Sequence, residues 1–358
     1  MFLIAFVFCG LGLACGMFLL RSIPLCPTSP LASPHFISVI IPARNEENNL
    51  PRLLECIRSS LLIAPEVLVV DDESTDDTAA VAARAGATVL SGSPLPVGWT
   101  GKTWACAQGA AEAQSNLLLF LDADTWFSPD GLARVLAAWE QHSQERIALS
   151  ILPFHTAIKP YEKLSLFFNL LSAFGAGGFG TVGKSRLFGQ CLLISRDLYD
   201  ACAGHTAVRS RILENLAMAD HLESIGARCV CLGGRGTLNV RMFPEGIGQL
   251  CESWTKAFAD GAAASHPTVL KLAVAWLSAL CTIVLLAFVV PWPLRASVTL
   301  LYFVASAQVY WFARQIGTFG VITALLFPVP LFFFFGLFTV SLTNRMLRRQ
   351  VSWRGRQV

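Results

Sequence analysis

A chain of 358 residues that is 54% hydrophobic and only 14% charged is long enough for a sizeable core and too apolar for an ordinary soluble enzyme, so part of it must meet lipid. Its net charge of +3 is small and its one basic cluster is terminal, which excludes a nucleic-acid groove and points to a membrane surface. Eleven cysteines, an odd number without a C-x-x-C pair or a Cys/His array of zinc spacing, read as small buried thiols in a reduced compartment, which fits a cytosolic face.

Phe2 to Leu20 carries no charge, and at about 1.5 Å rise per residue it nearly crosses a hydrocarbon layer of about 30 Å. No basic segment precedes it, and it is long for a signal peptide. Residues 1–22 are therefore expected to form a retained transmembrane anchor.

From residue 36 to 262 the pattern changes. "FISVIIPA", "EVLVVDD", "ATVL", "NLLLFLDAD" and "RIALSIL" are short apolar runs separated by helix-compatible segments. Strand followed by helix, repeated, implies an α/β domain with a mainly parallel sheet covered on both faces. Ligands bind such sheets beyond the carboxyl ends of the strands. The informative polar residues fall there: "ARNEEN" after the first strand, "DDESTDDT" after the second and "DAD" after the fourth. Ser128-Pro129 reads as the capped start of the next helix.

The run "LLLFLDADTW" ends in Asp122 and Asp124. On an extended segment these carboxylates share a face and repel unless a cation sits between them. Mg²⁺ or Mn²⁺ is the candidate, because such ions take oxygen ligands and are commonly completed by substrate phosphates. Asp71 and Asp72 alone could belong to a loop in which Ser74 to Asp77 cap the next helix. Paired with Asp122 and Asp124 on the same sheet they suggest a nucleotide site, one pair reading base or ribose and the other holding metal and diphosphate. In "GWTGKTWACAQG", Lys102 lies near a helix start, either as a point charge for a diphosphate or as a solvated lysine. Neither G-x-x-x-x-G-K-[ST] nor a G-x-G-x-x-G after the first strand occurs, so P-loop and nicotinamide-dehydrogenase readings fail.

Further along, His155 reads as a satisfied core or loop histidine before a metal ligand. Residues 164–183, apolar but Gly-rich and broken, form either a membrane-contacting segment beside the active site or a core helix followed by a loop. Cys229 and Cys231 alternate on a strand and face one way, but two ligands do not complete a zinc site. Thr268 to Val290, Ser297 to Ala313 and Gly320 to Leu342 make residues 268–343 a membrane region of two or three spans, the last broken by Pro328 and Pro330 and so a candidate re-entrant segment. With Met1 outside and the domain inside, three further crossings would put the basic tail 344–358 (Arg345, Arg348, Arg349, Arg354, Arg356) outside. The positive-inside tendency favours a cytosolic tail instead.

"SVIIPARNEENNL", "VLVVDDESTDDT", "WTGKTWACAQG" and "LLFLDADTWF" resemble, in order, the signatures of family 2 glycosyltransferases of the GT-A fold. "WTGKTWAC", "RMFPEGIGQLCESWTKAF" and the hydrophobic block after them resemble more closely the membrane-bound diaponeurosporenoate glycosyltransferase group of carotenoid biosynthesis and related lipid glycosyltransferases. The resemblance implies a Rossmann-like nucleotide-sugar domain on the cytosolic side of a multi-pass cell-membrane protein, with transmembrane helices. It also implies Mg²⁺ or Mn²⁺ and a nucleoside diphosphate sugar donor, UDP-linked. Transfer would invert the anomeric centre in one displacement to a lipid acceptor such as a carotenoid carboxylic acid. Residue by residue, Pro42, Ala43 and Glu46 would border the nucleotide, Asp71 or Asp72 the base, Lys102 and Arg241 the diphosphate, and Asp122 ribose or metal. Asp124 would hold metal, Gln190 and Trp254 would lie on the acceptor side, and Glu214 would be the base. Gln190 is expected on a strand, with hydrogen bonding at a sheet edge as its plain alternative. Trp254 matches only loosely the Gln/Arg-x-x-Arg-Trp box of processive synthases and lacks its arginine, which speaks against a polymer product.

Relatives with hydroxyl acceptors often carry a Glu-Asp pair at a helix start, whereas here Glu214 is followed by Asn215. Either Glu214 is the base, or the acceptor arrives already ionised, as a carboxylic acid or lipid phosphate does at pH 7. The plain alternative for Glu214 is a helix-start carboxylate favoured by the dipole, and Asp220, off its face, reads as solvated. Polyprenyl phosphate, hopanoid and diacylglycerol remain alternative acceptors. A catalytically silent lipid-binding relative is the alternative of another class, suggested by Asn215 and opposed by the intact Asp122-Ala-Asp124.

Overall fold

The computed structural model describes residues 2–28, 36–60, 65–142, 145–211, 213–264 and 266–346, with 352–353 and 356–357. Most of the basic tail thus lies outside the described residues. The first half runs α1 (Phe2–Leu19), β1 (Ser38–Ala43), α2 (Leu50–Arg58), β2 (Glu66–Asp71), α3 (Thr78–Arg84), β3 (Thr88–Ser91), α4 (Gly101–Glu112), β4 (Leu117–Leu121), β5 (Thr125–Phe127), α5 (Gly131–Glu140) and β6 (Ile147–Leu152). After it come β7 (Phe154–His155), α6 (Leu166–Gly177), β8 (Cys191–Ser195), α7 (Arg196–Ala201), α8 (Gly204–Ala207), α9 (Glu214–Ser224), β9 (Arg228–Gly233) and β10 (Leu238–Val240). Helices α10 (Ile247–Ala264), α11 (Pro267–Val289), α12 (Arg295–Ile316), α13 (Gly320–Leu325) and α14 (Pro328–Met346) complete it. Two compact units result, one of Pro24–Phe154 and Ser185–Met242, the other of Met1–Ile23, His155–Lys184 and Phe243–Val358.

The first unit is built on a seven-stranded sheet of order β3-β2-β1-β4-β8-β6-β9. All pairings are parallel except those of β8, which is antiparallel to both β4 and β6. Alternation along the strands sends successive side chains to opposite faces. Val39, Ile41, Val69 and Leu119 pack under Leu50 and Leu53 of α2 and Leu132 and Leu136 of α5. Ile40, Leu68, Leu118 and Phe120 pack under Cys106 and Ala110 of α4 and Met218 and Leu222 of α9. Each such aliphatic side chain contributes roughly 1.5–3 kcal/mol on full burial, which is why apolar runs of this composition become central strands.

The chain winds from β1 outward through β2 to β3 and returns to the other side of β1 as β4. The topological switch point therefore lies between β1 and β4, and a crevice opens at their carboxyl ends. Strand β8 arrives from the opposite direction, with Leu121 paired to Cys191, so the residues just before it stand beside those just after β4. This corrects the sheet-edge alternative for Gln190: it precedes an interior strand. A second correction concerns α5, which starts at Gly131 with Asp130 in the N-cap position rather than at Ser128. A Cβ at Gly131 would run into the carbonyl of Thr237, so only glycine lets the helix begin there.

In the second unit, α1, α11 and the segment Trp292–Ile316 are long and apolar enough to cross a membrane, while Pro328–Thr343 is a shorter apolar helix. The last apolar run is interrupted between Leu325 and Pro328, where proline at the first position of α14 lacks the N–H that would continue α13. Trp276 of α11 donates to the Gln308 side chain (2.9 Å), whose amide donates to the Leu13 carbonyl of α1 (2.7 Å). One glutamine thus joins three helices where few competing polar groups exist. Helix α6 buries Phe167, Phe168 and Phe174 against Trp276, Phe312, Phe334 and Trp254.

Each unit holds a histidine kept neutral by its surroundings. Burial depresses the His155 pKa to about 4; burial, with the Lys102 charge added, depresses that of His205 to about 3. In the unfolded chain both bind protons as pH falls through about 6.5. The stability these neutral rings contribute is therefore complete above that pH and is lost as pH falls toward 4 and 3, at about 1.4 kcal/mol per pH unit per ring. A melting temperature that is flat above pH 7 and falls steadily below pH 6, less steeply in His205→Gln, is the expected result in detergent. Equal melting temperatures at pH 7 and pH 5 would contradict it.

Candidate active site

At the carboxyl edge of the sheet the loops after β1 and β2 are sewn together. Asn45 and Glu73 both adopt left-handed φ of 56°. The Asn45 carboxamide oxygen accepts from the Thr75 backbone (2.8 Å), the Glu46 N–H donates to Thr78 Oγ1 (2.8 Å), and the Asp77 N–H donates to Glu47 (3.0 Å). Glu46 is buried and accepts from the Asn49 side chain. Asp71 accepts from the Ser74 N–H (3.3 Å), and Arg44 approaches the Asp72 carboxylate (3.8 Å) while donating to its carbonyl (2.8 Å). Two of the expected donor-side residues, Glu46 and Asp71, thus also shape the loops. Arg44, a cation at this edge, drew no notice in the sequence.

Asp122 and Asp124 do not lie on an extended strand. β4 ends at Leu121, and the Thr125 N–H and hydroxyl both donate back to the Asp122 carbonyl, closing a turn over 122–125. The alternation argument therefore stops one residue short of the first carboxylate, and both aspartates lie on the turn. The cation beside Asp122 is Lys102, whose Nζ lies 2.7 Å from Asp122 Oδ1, 2.9 Å from Glu214 Oε1 and 3.0 Å from the Gly189 carbonyl. The ammonium donates to the Gly189 carbonyl and is flanked by the two carboxylates as ion pairs, the one with Glu214 Oε1 lacking hydrogen-bond geometry. Burial alone would lower the Lys102 pKa, but the charges of Asp122 and Glu214 more than reverse this and hold the ammonium above the ordinary lysine range.

Each member comes from a different element. Thr100 caps α4 in a reciprocal capping box with Thr103, and both residues donate to the Arg209 carbonyl (2.8 Å each), so the helix start carrying Lys102 is anchored. Glu214 opens α9, buried at the dipole-favoured end. Gly189 and Gln190 precede β8, and the Gln190 carbonyl accepts from the Asp122 N–H (3.0 Å). Asn215 is buried beside Glu214, and its amide points toward the Phe188 carbonyl (3.5 Å). Asp220 is exposed and pairs with Arg186 (2.5 Å).

Pro42 and Ala43 end β1, and Arg241 follows β10. Trp254 belongs to the other unit, where it is buried and stacked on Phe168 at 4.8 Å. His155 also belongs there and is buried. Cys229 and Cys231 are buried on β9, and all eleven cysteines are free thiols.

Among the described residues no three or more His, Cys, Asp or Glu side chains gather as a protein metal cage. An ion held jointly with substrate phosphates needs only one or two carboxylates. Asp122 and Asp124, on one turn at the switch-point crevice, fit that kind of Mg²⁺ or Mn²⁺ site.

The sheet order, with its single reversed strand, is that of the GT-A fold. A mannosyltransferase from Pyrobaculum calidifontis, solved in complex with GDP-Man and Mn²⁺, superposes with a TM-score of 0.53 at 14% identity over 97% of this chain and 96% of its own. Residues 38–214 match the Glycosyl transferase family 2 model. The 4,4'-diaponeurosporenoate glycosyltransferase of Staphylococcus aureus strain N315 is 30% identical over 356 residues, covering 97% of this chain and 95% of that protein. That of Staphylococcus haemolyticus is 34% identical over 247 residues, 67% and 66% of the two chains. The chain belongs to glycosyltransferase family 2.

Proposed function

We propose that the protein transfers a sugar, with inversion, from a UDP-linked donor to a lipid acceptor at the cytosolic leaflet, the acceptor being a carotenoid carboxylic acid. The full-length likeness to 4,4'-diaponeurosporenoate glycosyltransferases carries this reading, because those relatives' names specify a polyene acid. The Lys102–Asp122–Glu214 cluster at the switch point supports it. Pro42, Ala43, Glu46, Asp71 and Asp72 would border the nucleoside, and Arg241 the diphosphate. Gln190 would serve the acceptor. Asp122 and Asp124 would hold Mg²⁺ or Mn²⁺, which when bound neutralises charge on the departing diphosphate. Lys102 adds a fixed positive charge where that charge develops. Helices α1, α11 and α12 would hold the catalytic unit at the bilayer.

Nucleoside diphosphate release from a panel of sugar nucleotides, measured with Mg²⁺ or Mn²⁺ on the full chain in vesicles with and without lipid extract, tests the reading. Release stimulated by lipid, abolished by EDTA and lowered at least about 100-fold by Asp124→Ala is expected. No turnover with any donor or metal would leave the silent lipid-binding relative in its place.

A further inference from the structure

We infer that Glu214 is a positioning residue for Lys102 and not the proton acceptor of the reaction. The inference rests on the glycosyltransferase reading above and concerns how the acceptor is activated.

A general base must present a lone pair to the incoming proton within about 2.6–3.2 Å. Glu214 Oε1 instead lies against the Lys102 ammonium, an ion pair at 2.9 Å without hydrogen-bond geometry. The exposures of the three side chains are unequal: Lys102 is 31% and Asp122 25% exposed, whereas Glu214 is 6% exposed. A ligand approaching the cluster meets Lys102 and Asp122, with Glu214 behind them. Lysine carries its charge on a flexible four-carbon stem, and an ammonium directed at one spot needs several acceptors to hold it. The Gly189 carbonyl accepts from it, and the carboxylates of Asp122 and Glu214 hold it by charge at 2.7 and 2.9 Å. A Cβ on Gly189 would lie 3.7 Å from Glu214 Oε1 and 3.9 Å from Lys102 Nζ, so these groups converge on one small region of backbone. Asn215 adds no second carboxylate there.

This arrangement suits an acceptor that brings its own negative charge. A carboxylate oxygen forms the new bond to the anomeric carbon while the bond from that carbon to the diphosphate oxygen breaks. The electron pair leaves with the nucleoside diphosphate, and no proton is transferred. The chemistry needs a fixed cation near the leaving group and no base.

The test uses the full chain in phosphatidylcholine vesicles containing a polyene carboxylic acid and the sugar nucleotide that the panel selects. Glu214→Gln keeps a polar oxygen beside Lys102 with the same shape and should retain kcat within about 5-fold, with the acid limb of the pH profile unmoved. Glu214→Leu and Lys102→Met should each lower kcat by roughly 100-fold, and the double variant should be no worse than Lys102→Met, because one residue acts through the other. Melting temperatures and retained nucleotide affinity separate these losses from misfolding. A fall of 100-fold or more in Glu214→Gln at unchanged donor KM, with loss of the acid limb, would make Glu214 the base and overturn the inference. Additive effects in the double variant would overturn it too. No release by the wild-type chain would instead remove the glycosyltransferase reading on which it rests.

Discussion

Asp122→Ala is expected to lower kcat/KM for sugar transfer by on the order of 1,000-fold, about 4 kcal/mol of transition-state stabilisation. Three consequences coincide at this side chain. Lys102 loses its shortest ionic contact, at 2.7 Å, and is left with Glu214 and a carbonyl. The switch-point turn loses one of the two carboxylates proposed to hold the divalent ion. The ammonium, held by one contact fewer, would no longer present its charge at the proposed diphosphate position. Asp122→Asn separates these effects: its oxygen can still accept from Lys102, but it carries no charge for metal or ammonium. An intermediate activity, with a higher metal concentration for half-maximal rate, is expected. Asp220→Asn, on the exposed Arg186 pair, should leave the rate within about 2-fold. Steady-state nucleoside diphosphate release checks all three, and Asp122→Ala activity within 10-fold of wild type would remove Asp122 from the site.

Gly16→Leu, alone or with Gly12→Leu, is expected to destabilise the helical unit most. A Cβ at Gly16 would lie 2.6 Å from the Trp276 ring, and one at Gly12 would collide with Ala279. Here glycine serves close approach: a G-x-x-x-G spacing lets two apolar helices touch backbone to side chain without a hydrophobic driving force between them. Separating α1 from α11 would also strain the Trp276–Gln308–Leu13 chain of hydrogen bonds. Overpacking and the lost polar contacts together amount to roughly 2–4 kcal/mol. The measurement is the melting temperature and monodispersity in detergent, with Gly10→Leu as the comparison, since nothing lies within 4 Å of a Cβ there. Equal stability of Gly10→Leu and Gly16→Leu would show that α1 does not depend on this contact.

Strands β1, β2, β3, β4 and β6 were legible in the order of residues because each is a short apolar run closed by polar loop residues. Burial on both faces of the sheet demands that composition of β1, β4 and β6, whereas β3, at the edge, is only partly covered. The same logic placed Asp71, Asp72, Asp122 and Lys102 at carboxyl ends or a helix start. Strand β8 was not legible as an interior antiparallel strand. It follows a Gly-rich stretch instead of a crossover helix, and direction within a sheet leaves no mark on apolar alternation. The turn at Asp122 was missed because periodicity cannot say where a strand stops. The G-x-x-x-G of α1 was present as a local signal, but its partner helix was not.

The meeting of Lys102 with Asp122, Glu214 and the Gly189 carbonyl could be decided only in three dimensions. These groups lie on four segments distant in sequence, and long-range proximity has no local signature. Composition and periodicity report how each segment meets water or core; which charges then share one ammonium depends on the reversed strand and two helix starts converging at the switch point.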